Sequence, residues 1–371
     1  MSDEPIIDFP LATDWPLLAA VSEVMEVENW AHEGRYVAFR GRLKTGPGAA
    51  LRQLRGRLEN SGMLPFLSRE RGKDLIRCGT VRRRKDAAPR RWLPPVLFLA
   101  TVVSTLMVGS LMASTSIRSL ISRPWLVWRG APFSFTLLLI LACHEFSHYF
   151  TSRKHGVKTS LPYFIPFPNI LGTMGAVIVS RSPFPDRKGL FDVGVAGPLA
   201  SFVLSVGAIL LGLSGMSLVR TVPPGPETGL GIYLGNSLLT NALFRLRFET
   251  VPPGYSVYLG PVGFAGWVGL FVTALNLLPM GQLDGGHLSY AVFGRRHGLI
   301  TRATMLALAV FGLLYSSPFW IFVAVLIAVI GPRHGPPLDD ITPLNPARKL
   351  LAAAALLILA ACFIPVPIGI G

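Results

Sequence analysis

Charged residues are scarce in this sequence. Only 15% of its 371 residues are Asp, Glu, Lys or Arg, whereas a soluble domain has about 25%, and 51% are hydrophobic. The mean hydropathy is +0.49. Such a composition excludes an ordinary soluble enzyme and predicts a protein that crosses a membrane several times.

Cysteine and acidic residues are also few. Cys78, Cys143 and Cys362 lie far apart and match neither a disulfide framework nor a metal-binding spacing. The chain has 35 basic and 20 acidic residues, a net charge of +15. Many of the basic residues lie between Arg35 and Arg91, ahead of the first apolar segment, as is typical of cytoplasmic segments of membrane proteins. We therefore expect no nucleic-acid partner, and RNA binding by the N-terminal segment is the weaker alternative.

Apolar segments long enough to cross a bilayer recur after this basic region. A transmembrane helix needs about 20 apolar residues. We expect six or seven spans, at about 94–113, 131–150, 190–219, 258–280, 298–316, 318–331 and 349–364. Residues 91–371 would then form an all-α, polytopic membrane domain in contact with the lipid bilayer.

Residues 1–90 have a different pattern. RYVAFRGRL, GMLPFLSRE and KDLIRCGTV alternate like strands, and AALRQLRGRLEN has apolar residues at helical spacing. This pattern predicts a small soluble α/β module of βαββ order with a regulatory or docking role. Because basic residues recur on its side of the alternating spans, we expect the module on the cytoplasmic side of a bacterial plasma (inner) membrane.

One apolar segment does not fit a membrane helix. Residues 158–188 contain five prolines and two glycines. Pro162, Pro166 and Pro168 favour extended chain, and GAVIVS, residues 175–180, is strand-like. Non-helical backbone at membrane depth is tolerated only against protein or a water-filled cavity. We expect a re-entrant, β-hairpin-like segment that lines a site.

The second span carries the polar sequence HEFSH. His144 and His148 lie one helical turn apart on one face, where two imidazoles can share a Zn²⁺ ion at about 2.0–2.1 Å each. Glu145 beside the first histidine suits a general base. Two histidines that satisfy each other are the alternative. A charged group at a helix centre costs about 2.5–3.5 kcal/mol, so a functional role is favoured.

A catalytic zinc site needs a third protein ligand. Asp284, in NLLPMGQLDGGHLSY, follows the break at Pro279 at the same end of the membrane domain as the histidines. Its carboxylate suits zinc, although it could instead cap the helix that begins at Gly285. His287 and Asp192 are rival candidates for the third ligand.

Four motifs in this order resemble the site-2 protease family of intramembrane zinc metalloproteases: HEFSH within a span, GTMGAVI, GVAGPLASF and NLLPMGQLDGG. The similarity covers about residues 90–350. It is greatest to the branch with a soluble N-terminal module and a tail similar to HGPPLDDITPL, without PDZ and CBS domains. The resemblance implies one Zn²⁺ per chain, bound by His144, His148 and Asp284, with Glu145 as catalytic base and Asn276 as a supporting polar residue.

The resemblance also implies an activity. It is hydrolysis of peptide bonds within or near the transmembrane segment of a membrane-anchored, single-span protein, known as regulated intramembrane proteolysis. The residues expected to engage the substrate as an exposed strand are Gly172, Thr173, Gly175, Ala176, Val177 and Ile178. Because intramembrane histidines and carboxylates also line ion paths, a metal or proton transporter is the alternative function. The sequence does not predict the oligomeric state.

Overall fold

The computed structural model describes residues 15–80, 92–220, 232–331 and 335–370. The basic segment 82–91 and His334, at the start of the tail motif, lie outside the described residues. The described part is mostly helical. It consists of a module with one four-stranded sheet, followed by a helical domain with short strand pairs.

The N-terminal module packs two helices on an antiparallel sheet of order β1-β2-β4-β3. Its elements are α1 (Trp15–Val24), β1 (Met25–Glu33), β2 (Tyr36–Leu43), α2 (Pro47–Leu58), β3 (Met63–Glu70) and β4 (Lys73–Thr80). Sequence analysis missed α1 and β1. Only the first residue of β1, Met25, is buried, so MEVENWAHE lacks the apolar alternation that identifies a strand.

The second domain contains the apolar helices. Its elements are α3 (Leu93–Met112), α4 (Ile117–Ser122), α5 (Ala131–Lys154), β5 (Tyr163–Pro166), β6 (Thr173–Val177), α6 (Arg187–Gly212), β7 (Ser217–Arg220), β8 (Ile232–Leu234), α7 (Leu238–Arg245), β9 (Tyr255–Tyr258), α8 (Gly260–Leu277), α9 (Asp284–Phe293), α10 (His297–Leu314), α11 (Pro318–Ile330), α12 (Pro346–Cys362) and β10 (Ile368–Ile370).

Five helical segments among the described residues are long and apolar enough to cross a membrane. They are Leu93–Met112, Pro124–Lys154, Arg187–Gly215, Gly260–Leu277 and Asp284–Leu314. Two further spans were expected, but α11 and α12 have only 13 and 17 residues. At 1.5 Å per residue they are about 20 and 26 Å long, shorter than a hydrocarbon core of about 30 Å.

The proline-rich segment forms the expected hairpin. Strands β5 and β6 pair antiparallel, and a bridge between Thr159 and Ser180 continues the pairing to the last residue of the expected strand. Gly172 has φ 75° and packs against α3, where an added Cβ would lie 2.7 Å from the Ser104 carbonyl oxygen. The hairpin is thereby held beside the membrane helices.

Helices α5, α6 and α8 form the centre of the membrane domain. Helices α6 and α8 approach closely at Gly212 and Gly263, where a Cβ on Gly212 would lie 2.8 Å from the Gly263 Cα atom. Small residues at such crossings are typical of membrane helices. Because α8 ends at Leu277 and α9 begins at Asp284, the chain turns back at the level of the HEFSH segment.

The tail segment 335–345 joins the two domains. Leu338 lies in the module's hydrophobic core, and its carbonyl oxygen accepts from the Leu67 N–H of β3 at 2.7 Å. The buried Asp340 carboxylate accepts from Arg187 at 2.7 Å and from the Tyr290 hydroxyl at 3.1 Å. The tail therefore connects the module with α6 and α9, the helices that flank the site described next.

Candidate metal centre

Helix α5 places both histidines of HEFSH in one buried site. His144, Glu145 and His148 are buried, with exposed fractions of 5%, 7% and 5%. The Nε2 atoms of the two histidines are 3.0 Å apart. The spacing of four residues on one helix accounts for this approach.

Asp284 comes to the same point from α9. Its Oδ2 atom is 3.3 Å from the Nε2 atom of each histidine. The expected alternative was a capping role, but Leu283 is the N-cap and Asp284 is the first helical residue. The carboxylate is therefore directed toward the histidines.

The hydrogen bond of His148 determines which ring nitrogen carries its proton. Its Nδ1 atom is 2.7 Å from the Val193 carbonyl oxygen on α6. Since a carbonyl oxygen can only accept, Nδ1 is protonated, and Nε2 of the neutral ring presents a lone pair. Gly197 makes room for this ring, because an added Cβ there would lie 2.2 Å from Nε2.

A longer hydrogen-bond chain orients His144. The Thr273 hydroxyl donates to the Gly269 carbonyl oxygen at 2.7 Å. The Ser201 proton has three acceptors within reach, the Thr273 hydroxyl at 2.8 Å and the Gly197 and Pro198 carbonyl oxygens at 3.2 Å each. Ser201 then accepts from the Nδ1–H of His144 at 3.1 Å. The Nε2 atom of His144 consequently also presents a lone pair.

Two nitrogen lone pairs and a carboxylate oxygen therefore meet in one buried place. The three ligand atoms lie within 4.8 Å of one another. They repel one another unless a cation or proton lies between them. Two histidine nitrogens and one carboxylate oxygen, each ring fixed through its other nitrogen, form a ligand set typical of a catalytic zinc site with an open position. The residues present thus fit a divalent metal.

The two rival ligands have other surroundings. The Asp192 carboxylate accepts two hydrogen bonds from Arg348, at 2.8 and 2.7 Å, and lies 3.0 Å from His155 Nε2. It therefore links α6 with α12. The His287 ring lies 5.8 Å from the Phe184 ring and does not join the metal-binding group found among the described residues.

Two further polar groups reach the centre. The main chain of Ile178, just after β6, lies close to the Glu145 carboxylate. The Asn276 side-chain nitrogen, on α8, is 3.3 Å from His144 Nε2 and can donate to its lone pair. The five residues proposed from sequence for binding metal and for catalysis are thus brought together.

The comparisons with known proteins agree with this geometry. Residues 132–316 match the profile of Peptidase family M50, a segment that includes the two histidines, Glu145, Asn276 and Asp284. The chain belongs to this family, the site-2 protease family. With its five apolar helical segments, it is an integral membrane protein.

Relatives of this M50 chain are known in plants. It is 34% identical over 246 residues to the probable zinc metalloprotease EGY1, chloroplastic, of Arabidopsis thaliana, covering 63% of this chain and 43% of that relative. It is 27% identical over 322 residues to the probable zinc metalloprotease EGY2, chloroplastic, of the same plant, covering 82% and 56%. The chain thus spans about half the length of these curated relatives. No solved structure matches it.

The expected substrate-binding residues of this M50 chain differ in their positions in the hairpin. Thr173 is buried and donates to the Ile165 carbonyl oxygen at 2.9 Å, and Gly172 packs on α3, so both hold the hairpin together. Val177 is 46% exposed, and Ile178 contacts Glu145. Gly175, with φ 97°, and Ala176 lie between them in β6. The end of β6 is therefore the part nearest the metal centre.

Sequence analysis missed the residues that orient the histidines. Gly197 and Ser201 lie four residues apart in GVAGPLAS on α6, and Thr273 lies on α8. Small and hydroxyl residues are common wherever membrane helices pack. Glycine, serine and threonine at these positions therefore did not indicate a metal site, and only the contacts with His144 and His148 identify their role.

The contact between Gly197 and His148 can be tested by substitution. We expect Gly197→Ala to weaken zinc binding roughly 10–100-fold, the loss typical of an altered ligand-orienting group, because the added methyl group would displace the His148 ring. Zinc content after dialysis against a weak chelator measures this loss. Gly207→Ala, on the same helix, is the matched control because its Cβ would meet nothing within 4 Å. Equal zinc content in the two variants would contradict the orienting role.

Proposed function

We propose that this chain is an intramembrane zinc metalloprotease that hydrolyses peptide bonds within or near the transmembrane segments of membrane-anchored proteins. The observation that carries the proposal is the convergence of His144, His148 and Asp284 beside Glu145 on apolar helices. Membership of Peptidase family M50 and the names of the plant relatives support it.

His144, His148 and Asp284 would hold one Zn²⁺ ion. When bound, zinc supplies a Lewis acid that acidifies water and polarises a carbonyl group. The protein contributes the fixed orientation of both imidazoles, through Val193 and Ser201. This arrangement keeps both Nε2 lone pairs available without rearrangement of the helices.

Glu145 supplies the general base. Glu145 follows His144 in the chain, and its carboxylate lies near the Ile178 main chain at the end of β6. A carboxylate oxygen there takes a proton from the attacking water and then delivers it to the leaving amine nitrogen. The Asn276 amide lies on the same side and can donate a hydrogen bond to the oxygen that gains negative charge.

The substrate must be extended before it can be attacked, because a transmembrane helix uses its peptide groups in internal hydrogen bonds. Strand β6 supports this step, since its end lies beside Glu145 and a strand edge can pair with an extended peptide. We propose that a single-span substrate binds along Gly175–Ile178 at this edge.

Basic residues support a cytoplasmic position of the N-terminal module. Arg153 and Lys154 end α5, and Arg187 and Lys188 begin α6, at the end of the membrane domain that contacts the module through Arg187 and the tail. The positive-inside rule places this end in the cytoplasm. A bacterial plasma membrane stays our prediction for this chain, whereas the names of the plant relatives place those proteins in the chloroplast.

Reconstitution tests the proposed activity directly. Purified protein in proteoliposomes should cleave a single-span reporter. An excess of 1,10-phenanthroline should stop cleavage, and added Zn²⁺ should restore it, because the three ligands bind the metal reversibly. A zinc-sensitive dye inside the same vesicles measures transport. Zinc flux without cleavage would support the transporter and overturn the protease.

A further inference from the structure

A cavity of about 780 Å³ lies between the N-terminal module and the membrane domain. Residues of β2, β3 and β4 and of the turn before β2 form one wall. The chain after β6, Tyr290 of α9, Arg295 just after this helix, and the tail form the rest. Four lining residues are arginines: Arg35, Arg77, Arg181 and Arg295. The lining also includes Asp340, whose carboxylate is bonded to Arg187 and Tyr290, so the remaining excess of positive charge predicts an anionic occupant.

Two of these arginines already have acidic partners. Arg77 donates to Glu33 at 2.8 Å and to Glu70 at 3.1 Å, and Arg295 donates to Glu70 at 2.5 Å. Burial would raise the pKa of Glu70, but these two arginines lower it below its ordinary value. Glu70 is therefore ionised, and its carboxylate balances part of the positive charge of Arg77 and Arg295.

The other two arginines are available to a ligand. Arg35 and Arg181 are exposed, and neither makes an ion pair within the described residues. The Arg35 guanidinium lies over the Tyr36 ring, 5.3 Å from its centre. The Ser68 hydroxyl, on the same wall, is buried and finds no hydrogen-bond partner in the part of the chain that the structure describes. The cavity thus presents two cations that make no ion pair within the described residues.

The cavity continues from the proposed substrate strand. The Val179 carbonyl oxygen and the Arg181 N–H hydrogen-bond to residues 158–160. The backbone N–H and carbonyl groups of Ser180, between them, therefore point toward the opposite edge of the strand. Ile178, which contacts Glu145, lies two residues before Ser180, so its backbone groups point toward the same edge. Residues 180–182 line the cavity. At about 3.3 Å per residue, they lie about 7–13 Å beyond Ile178.

We propose that this cavity binds acidic side chains of the substrate, located about two to four residues from the cleaved bond on the module's side of the membrane. The inference rests on the proposed protease function. Most membrane proteins carry Lys or Arg at the cytoplasmic end of a span. Arg35 and Arg181 repel such segments and attract acidic ones, so the cavity selects substrates by rejecting ordinary spans.

Binding without turnover tests the proposal. In the Glu145→Gln protein, in neutral detergent, a fluorescent peptide with an acidic flank should bind about tenfold more tightly at 0.1 M salt than its Asn/Gln counterpart. The difference should shrink toward equality at 1 M salt, where the screening length falls to about 3 Å. The Arg35→Gln/Arg181→Gln pair of substitutions, added to this protein, should remove the preference. Arg42→Gln/Arg52→Gln removes the same charge from exposed positions outside the cavity, and this control protein should keep its preference for the acidic peptide.

The outcomes separate the two proposals. Equal affinity of the Glu145→Gln protein for the acidic and neutral peptides, or a preference that survives Arg35→Gln/Arg181→Gln, overturns the acidic-flank proposal. Failure of the wild-type protein to cleave the single-span reporter in proteoliposomes overturns the protease function alone, because the peptide-binding result does not depend on turnover.

Discussion

The Glu145→Gln variant is expected to lose peptide-bond cleavage by at least about 10²- to 10⁴-fold and to keep its zinc. Glutamine retains the shape of the side chain but cannot take a proton from water. The three ligands, His144, His148 and Asp284, are unchanged, so the metal should stay bound. Cleavage of a single-span reporter in proteoliposomes and zinc content by atomic emission measure the two quantities on one sample.

A matched change elsewhere distinguishes this effect from a general loss of charge. Glu249→Gln removes the same charge from an exposed residue of the membrane domain and should leave cleavage unchanged. Glutamine at 145 has nearly the same size as glutamate, so the end of β6, which lies beside it, should stay in place. Cleavage at the wild-type rate by Glu145→Gln would exclude the role of Glu145 as base.

The parts of the fold that depend on residues close together in the chain were predictable from local sequence patterns. The histidine pair on α5 follows from a spacing of four residues within one apolar span. The hairpin follows from the prolines at 162, 166 and 168, which prevent a helix. The approach of Asp284 required one more step, the inference from the break at Pro279 that its segment returns to the level of the histidines.

Features set by contacts between distant segments were not predictable in the same way. The tail reaches both β3 and α9 through Leu338 and Asp340, and nothing in its local pattern names these partners. The orientation of His144 depends on Ser201 and Thr273, from two other helices. The number of spans stays a prediction, since α11 and α12 lie at the expected positions but have only 13 and 17 residues.

Substitution of Asp284 should remove the metal. We expect Asp284→Asn to reduce bound zinc from one ion per chain to almost none, a larger loss than the roughly 10–100-fold typical of an outer-shell partner. The amide is isosteric but neutral, and its oxygen is a weaker ligand than a carboxylate oxygen. It also leaves the Nε2 lone pairs of His144 and His148, 3.0 Å apart, without the negative charge that attracts a cation. Zinc titration with a fluorescent competitor gives the affinity.

His287→Ala provides the comparison, because it removes the rival ligand from the same helix. Since the His287 ring lies outside the metal-binding group of the described residues, we expect this variant to keep its zinc. Loss of zinc from His287→Ala together with full retention in Asp284→Asn would transfer the third ligand position to His287. The distances favour the first result, because Asp284 Oδ2 lies 3.3 Å from both histidine nitrogens and a small movement of its side chain would complete the coordination of one ion.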